Sequence, residues 1–523
     1  MDVYNIIAIG GTGMRCAESL VHLCAMGMFD DTQVNLLALD TDYKNGNFKR
    51  LKNLVDNYVR ITADREGVSA NTLFSAKINY FTFSPDYGRG TNFDTESHYS
   101  DSQAIVHGED SVKWKESDLA DLFLTLEMRK MDLQHGYRAQ TQMGSMLMYH
   151  AIIEEAYKAK MGAVKDSGLA KFVENLMNNP GSKVFLFGSV FGGTGASSIP
   201  IMPRAFQKAA QILSIDGQGD VLSKNLFGTV MLTNYFSFDS PKNQGEVIAT
   251  SDKFALNSQA ALFFYHHDKT VRHTYKRLYL IGRDAPRNVT KDSSQSLTGG
   301  EGQCNPVDYI ELLAASAAYD FYKAAQHHQQ KALFGPEGET FYRTISSDEN
   351  DCLTFQSFFG DEDKDKFTEK CGIMMASAFL FGPQNFAENR RKHETFNNLT
   401  QENVDDIRSF FRSFYDLERL DEYNPGSGWI KQMQESAADM GYKGFLFHPD
   451  VFTVDPRGAE KFKYNNKLYP EKANIIYKVG WTSDAYSTFK DKFGEQDKVQ
   501  GLQNTVSNLL KRTYTTLHDL YGF

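Results

Sequence analysis

Residues 3–14 read VYNIIAIGGTGM and residues 183–197 read KVFLFGSVFGGTGAS, so the four letters Gly-Gly-Thr-Gly close an apolar run twice in one chain. Each run has the length and apolar content of a buried strand, and helical spacing of apolar residues follows it. Glycines at a strand-to-helix junction let the backbone turn at positive φ and let its amides approach an anion, while the helix behind adds its positive dipole end. One such loop alone is equally well a plain tight turn. The pair predicts one phosphate-rich ligand gripped from two sides. The candidate residues are Gly10, Gly11, Thr12, Gly13 and Met14 on one side and Gly192, Gly193, Thr194, Gly195 and Ala196 on the other. They would act through backbone amides, with the Thr12 and Thr194 hydroxyls assisting.

Outward from the first loop, helical spacing covers residues 14–28, and residues 34–39 (VNLLAL) form a second buried strand. That strand ends in Asp40, Thr41 and Asp42, where the carboxyl edge of a parallel sheet presents ligand-facing groups. Residues 43–110 are polar, aromatic and irregular, and are expected as an elaboration. Helical spacing returns over 117–131 and 143–163, with a loop at 136–144 between. Outward from the second loop, a helix is expected over 200–213, then strands at 226–233 and 277–281 around a helical segment at 257–264. A Ser, Gly and Thr rich loop at 290–303 leads to a long helix over 306–330, with Asn305 and Pro306 as cap and first turn. Strand and helix alternate as in a doubly wound α/β domain with a mainly parallel sheet.

After residue 335 the texture becomes acidic and loop-rich. The expected organisation is an α/β domain over 1–335, an acidic linker region over 336–370 and a second, α+β domain over 371–523. Within it, strands are expected at 372–381, 444–448 and 473–479, a helical stretch at 384–420 and an amphipathic helix at about 499–520. The run DEDKD at 361–365 reads as a solvated loop. The pairs His266-His267 and His327-His328 point about 100° apart on a helix and cannot chelate one ion unaided, so no metal site is assigned to them.

Composition narrows the class. The chain has 523 residues, 41% hydrophobic, with a formal net charge of −10, which argues against a mainly electrostatic nucleic-acid partner. Five scattered cysteines without a CxxC pair fit reduced thiols, and neither a signal peptide nor a transmembrane segment is indicated, so a cytoplasmic protein is expected.

Neither glycine loop carries the GxxxxGK[ST] lysine of a P-loop, and the first lacks the third glycine of GxGxxG, although Asp40 is placed to meet a ribose. The segment FGGTGAS (191–197) resembles the glycine-rich signature of the tubulin and FtsZ family. Other segments follow in that family's order. LDTD (39–42) resembles the stretch after the family's second strand, residues 136–144 its third phosphate loop, and LTNYFSFD (232–239) its ribose-side loop. The long helix from Pro306 resembles its central helix, so the likeness spans about residues 1–330. The resemblance implies a Rossmann-type domain binding GTP or GDP with Mg²⁺. It adds Ala139, Gly144, Ser237, Asp239, Asn305 and Tyr309 to the nucleotide-binding residues, Tyr309 as a base-stacking ring, although the residue by itself reads first as a core tyrosine. It further implies head-to-tail assembly into a filament, with hydrolysis completed by acids of a neighbouring subunit, for which Asp348, Glu349 and Asp351 are the candidates. The chain departs from the family pattern at Phe191, where a small residue is usual, at Ser197, where glycine is usual, and in the spacing of those acids. A nucleotide-dependent interaction protein that does not hydrolyse GTP, presenting its C-terminal domain to partners, is the first alternative; a Rossmann-type NAD(P) oxidoreductase is the second.

Overall fold

The computed structural model describes residues 2–42, 44–65, 70–85, 133, 137, 139–239, 250–289, 303–328, 339–382, 399–416, 428–446, 452–454, 460–462, 491–493 and 506–521. Seven strands form one parallel sheet: β1 (Asp2–Ile9), β2 (Thr32–Leu39), β3 (Lys77–Phe83), β4 (Lys183–Ser189), β5 (Leu226–Leu232), β6 (Tyr275–Ile281) and β7 (Glu339–Arg343). Their order is β3-β2-β1-β4-β5-β6-β7, and every neighbouring pair is parallel. A parallel sheet needs crossover helices and is covered on both faces, which is why β1, β2 and β4 are apolar almost throughout.

The crossovers are α1 (Gly10–Met26), α2 (Gly46–Ile61), α3 (Thr141–Lys160), α4 (Gly168–Asn178), α5 (Thr194–Ser198), α6 (Met202–Leu213), α7 (Phe254–His267) and α8 (Tyr309–His328). Alternation along β1 separates two cores. Tyr4, Ile6 and Ala8 join residues of α1, α2 and α8, whereas Ile7 and Ile9 join residues of α3, α4 and α6. The C-terminal part contributes α9 (Phe355–Phe381), α10 (Gln401–Phe414), α11 (Trp429–Asp439) and α12 (Val506–Tyr521), together with short strands at 352–353, 444–445, 452–454 and 460–462. Its helices enter the same apolar cluster as α1 and α2. Trp429 donates from Nε1 to Ser19 on α1 at 3.1 Å, and its indole stacks on His22 at 4.8 Å.

A row of polar side chains pins the register. Asn5, Asn35 and Asn79 are direct partners on β1, β2 and β3. Asn79 donates to Asn35 and Asn35 to Asn5, each at 2.9 Å. Asn5 donates to Ser182 at 2.9 Å, and Ser182 donates to Asn225 at 2.8 Å. A slip of one residue would leave the buried amides of Asn5 and Asn35 unpaired, at about 1–3 kcal/mol each.

Several sequence expectations change. Residues 43–110 supply α2 and β3, and residues 168–178 form α4, which the sequence did not single out. The strand-like run 372–381 is the end of α9, where Ile373, Met374 and Met375 are fully buried; an apolar run of that length does not distinguish a buried strand from a buried helix. The DEDKD run is part of the same helix rather than a loop, and Asp363 there pairs with Lys323 at 2.7 Å. The long helix starts at Tyr309, and Asp308, not Asn305, caps it by accepting from Ile310 N at 3.0 Å. The expected helix at 117–131 and strand at 473–479 lie outside the described residues. No helix among the described residues is long and apolar enough to cross a membrane.

Candidate functional site

In this strand order β1 and β4 are neighbours whose connections leave in opposite directions, so a crevice opens at their carboxyl ends. Both glycine loops follow these two strands. Gly10 turns with φ of +67°, and a Cβ placed on it would lie 3.3 Å from Thr194 Cβ, so the loops touch across the crevice. Neither α1 nor α5 has a side-chain cap on its N-cap residue or an acidic residue in its first turn, so no group of their own competes for the amides at either helix start. With five residues, α5 contributes amides more than dipole.

Two further glycines let the helices approach the sheet. A Cβ on Gly13 would fall 2.6 Å from Phe187 O, and one on Gly195 would fall 2.5 Å from Ser189 O. Gly13 therefore does the close-packing work of the third glycine that the GxGxxG comparison finds missing. Met14 is wholly buried in the apolar core, so its side chain is not a crevice group.

The sequence did not reveal what covers the first loop. A Cβ on Gly11 would meet the amide nitrogens of Asn47, Asn45 and Gln303 at 3.1, 3.2 and 3.4 Å. These side chains interlock: Asn45 caps α2 by accepting from Asn47 N at 2.9 Å and donates to Gln303 at 2.8 Å. Asn305 N donates to Asn47 Oδ1 at 3.0 Å, and Asn47 Nδ2 donates back to Asn305 Oδ1 at 3.3 Å. Asn305 thus arrives at the site by pairing with Asn47.

The second loop is held by rings. Phe191 packs on Phe254 at 4.7 Å, Phe236 at 5.5 Å and Tyr235 at 6.2 Å. The bulky residue at this departure from the family pattern fills an aromatic cluster and brings residues 235–238 against the loop. Ser237 lies in a two-residue strand and accepts from Val289 N at 2.9 Å through its backbone, while Asp239 is exposed. Ser197 sits in the helical turn of α5, where no glycine-only conformation is needed, and donates to Thr194 O at 3.0 Å. Ala196 accepts from the Tyr265 hydroxyl. The third segment docks here too: a Cβ on Gly144 would meet Ser197 Oγ at 2.7 Å, and Ser145 donates to Ser197 O at 2.7 Å. Ala139 adopts φ of +64°, a left-handed conformation that costs an ordinary residue about 1–2 kcal/mol.

Asp40, Thr41 and Asp42 form a buried turn at the end of β2. Asp40 accepts from Asp42 N at 3.3 Å and Asn45 Nδ2 at 3.4 Å, and Asp42 accepts from Lys44 N at 3.1 Å. The two carboxylates remain a fitting donor set for Mg²⁺, which takes one or two carboxylates and completes its shell with phosphate and water.

Behind the crevice lies a buried charge network. Arg15 bridges Glu18 at 2.5 Å and Glu311 at 3.1 Å, and Tyr235 donates to Glu311 at 3.1 Å. Burial, opposed by Arg15, pushes the Glu311 carboxyl up to about 7. Tyr309 is 1% exposed; the Arg283 guanidinium lies 5.1 Å over its ring and Tyr442 meets it edge-on, so a base could stack on it only by displacing them. The candidate acids are engaged in a turn. Asp348 accepts from Asn350 N at 3.0 Å and Cys352 N at 2.8 Å, Asp351 pairs with Lys443 at 2.8 Å, and Glu349 is exposed. The turn lies near the start of α8, since Lys443 N donates to Asp351 O and Tyr442 touches Tyr309. His266 and His267 are exposed on α7, and no group of three or more potential metal-ligating His, Cys, Asp or Glu side chains occurs among the described residues.

No protein-family model and no curated protein matches the chain. Among solved structures it is similar to Clostridium botulinum phage c-st TubZ (C-terminal tail truncated protein), at 13% identity and a TM-score of 0.20 over 54% of this chain and 53% of that one. The chain thus spans about half the length of that protein, and a likeness of this size carries no argument about function.

Proposed function

We propose that the chain binds a guanine nucleotide in the crevice between β1 and β4. The observation that supports this is the contact of two glycine loops, each opening an uncapped helix, at the switch point of a parallel sheet. Amides of Gly10, Gly11, Thr12 and Gly13 and of Gly192, Gly193, Thr194 and Gly195 take the phosphates, and Asp40 or Asp42 holds the Mg²⁺ that neutralises them. Asn45, Asn47 and Gln303 supply the polar groups nearest Gly11. The preference for guanine rests on the ordered motifs alone.

Filament formation and hydrolysis are further steps of the same reading. The turn bonds of Asp348 and Asp351 favour the version in which hydrolysis is slow or absent and nucleotide controls association. The order β3-β2-β1-β4-β5-β6 and Asp40 at the end of β2 give the NAD(P) alternative its one specific support. Identification of the nucleotide carried through purification, followed by titration with GTP, GDP, ATP and NAD(P), tests the proposal. Guanine nucleotide with Mg²⁺ is expected; NAD(P) binding without it overturns the reading. Light scattering with and without GTP, beside phosphate release at rising protein concentration, tests assembly and turnover separately.

A further inference from the structure

Between α2 and the C-terminal helices α10 and α11 lies a cavity of 690 Å³. That is within the roughly 300–1,000 Å³ of small-molecule sites. Its wall carries Lys49, Arg50, Arg408 and Arg412 against the carboxylates Glu18, Asp405 and Asp416. The carboxylates are already engaged. Glu18 holds Arg50 at 2.7 Å and, from behind, Arg15 at 2.5 Å; Asp416 holds Arg412 at 3.1 Å; Asp405 accepts from Gln401 at 2.9 Å. Arg408 has no ion pair or hydrogen bond among the described residues, and its Nε is buried without a partner, as is Nη1 of Arg50. Two turns along the same face of α2 from Arg50, Asn57 is 5% exposed and its buried Oδ1 accepts from no group.

Buried donors left unmatched on two guanidinium groups, beside one unmatched amide oxygen, are costly unless a ligand or ordered water meets them. A guanidinium fork matches phosphate oxygens in plane, and among the described lining residues the two unmatched guanidinium donors favour an anion. We infer that this cavity binds a phosphorylated small molecule, its phosphate taken by Arg50 and Arg408 and a hydroxyl or amine of its organic part by Asn57 Oδ1. None of Gly10, Gly11, Thr12, Gly13, Gly192, Gly193, Thr194 or Gly195 lines it, so it is a second site. It adjoins the first: Gly46 and Cys304 line the cavity, and their chain neighbours Asn45 and Gln303 cover Gly11. A ligand here therefore bears on the roof of the glycine-loop crevice and can tune it.

Cys304 supplies a readout, because the other four cysteines are buried and it is not. The test measures thiol modification of the full-length protein with and without inorganic phosphate or ribose 5-phosphate, alongside calorimetric titration of each. Ribose 5-phosphate is expected to bind saturably and slow modification of Cys304, with affinity falling about tenfold or more in Arg408→Ala. Arg408→Lys, which keeps the charge and loses the fork, should fall between. Arg408 is only partly buried and unpaired, so the variant should melt like the parent. Protection by inorganic phosphate alone, with no gain from the sugar, would remove the organic part from the proposal and overturn it. Equal binding by Arg408→Ala, or no saturable binding by either probe at about 5 mM, overturns it as well. Guanine-nucleotide binding by Arg408→Ala, measured in parallel, keeps this result separate from the fate of the glycine-loop proposal.

Discussion

The two glycine loops share four letters and differ in everything that covers them. The first opens the seventeen-residue α1 beneath amide side chains from Asn45, Asn47 and Gln303; the second opens the five-residue α5 beside the rings of Phe191, Tyr235, Phe236 and Phe254. Polar amides offer hydrogen bonds to a ligand, and packed rings offer position without chemistry. On the proposed nucleotide reading, the same motif is a recognition wall on one side of the crevice and a rigid backstop on the other.

The largest effects should come from what the loops have in common. Gly13→Ala and Gly195→Ala each push a methyl against a backbone carbonyl, at 2.6 and 2.5 Å, and each should destabilise by roughly 3–4 kcal/mol in urea unfolding. Gly192→Ala, whose Cβ meets only Ser189 Oγ at 3.1 Å, should cost much less. Equal losses at all three positions would mean that the close approaches do not hold the helices. Next comes the backstop: Phe191→Ala should cost about 3 kcal/mol and weaken nucleotide binding through a loosened loop.

A third measurement uses pH to separate the helices behind the loops. Burial lowers the pKa of His22 on α1 from 6.5 to about 3, whereas α5 carries no titratable side chain. A folded-state pKa depressed in this way makes the neutral ring's contribution complete above 6.5 and erodes it as pH falls towards 3. Between pH 6.5 and about pH 5 the parent should lose about 2 kcal/mol that His22→Phe keeps. Parallel pH profiles for the two proteins would refute this. The smallest effect tests the recognition wall. Asn47→Ala should cost about 1 kcal/mol of stability, and isothermal titration should show weaker nucleotide binding than that loss explains.

Where the sequence was legible, one local pattern was enough. Strands β1, β2 and β4 are continuous apolar runs and the glycines punctuate them, so the parallel α/β class and both loops could be read directly. Strand β3 escaped because KINYFTF mixes Lys77, Asn79 and Thr82 into an outer position, and β7 because ETFYR is a short, largely exposed edge. The roof over Gly11 could not be read at all. Asn47 and Asn305 stand 258 residues apart, and no spacing rule links side chains that only the folded chain brings together. The turn at 348–352 was equally hidden: Asp348 accepts from Asn350 N and Cys352 N, bonds that residue type alone does not announce.

The asparagine row across the sheet has a consequence for the order of folding. Asn5, Asn35 and Asn79 can meet early, within the first strands of the chain, whereas the bond from Asn5 to Ser182 closes a separation of 177 residues. Such a closure is slow, because its loop entropy is spent before any contact rewards it. That same bond ties β1 to the residue just before β4, its neighbour in the sheet, so the crevice between the glycine loops does not exist in a half-assembled chain. It is created by the closing step, and an intermediate that stops short of it should bind no phosphate.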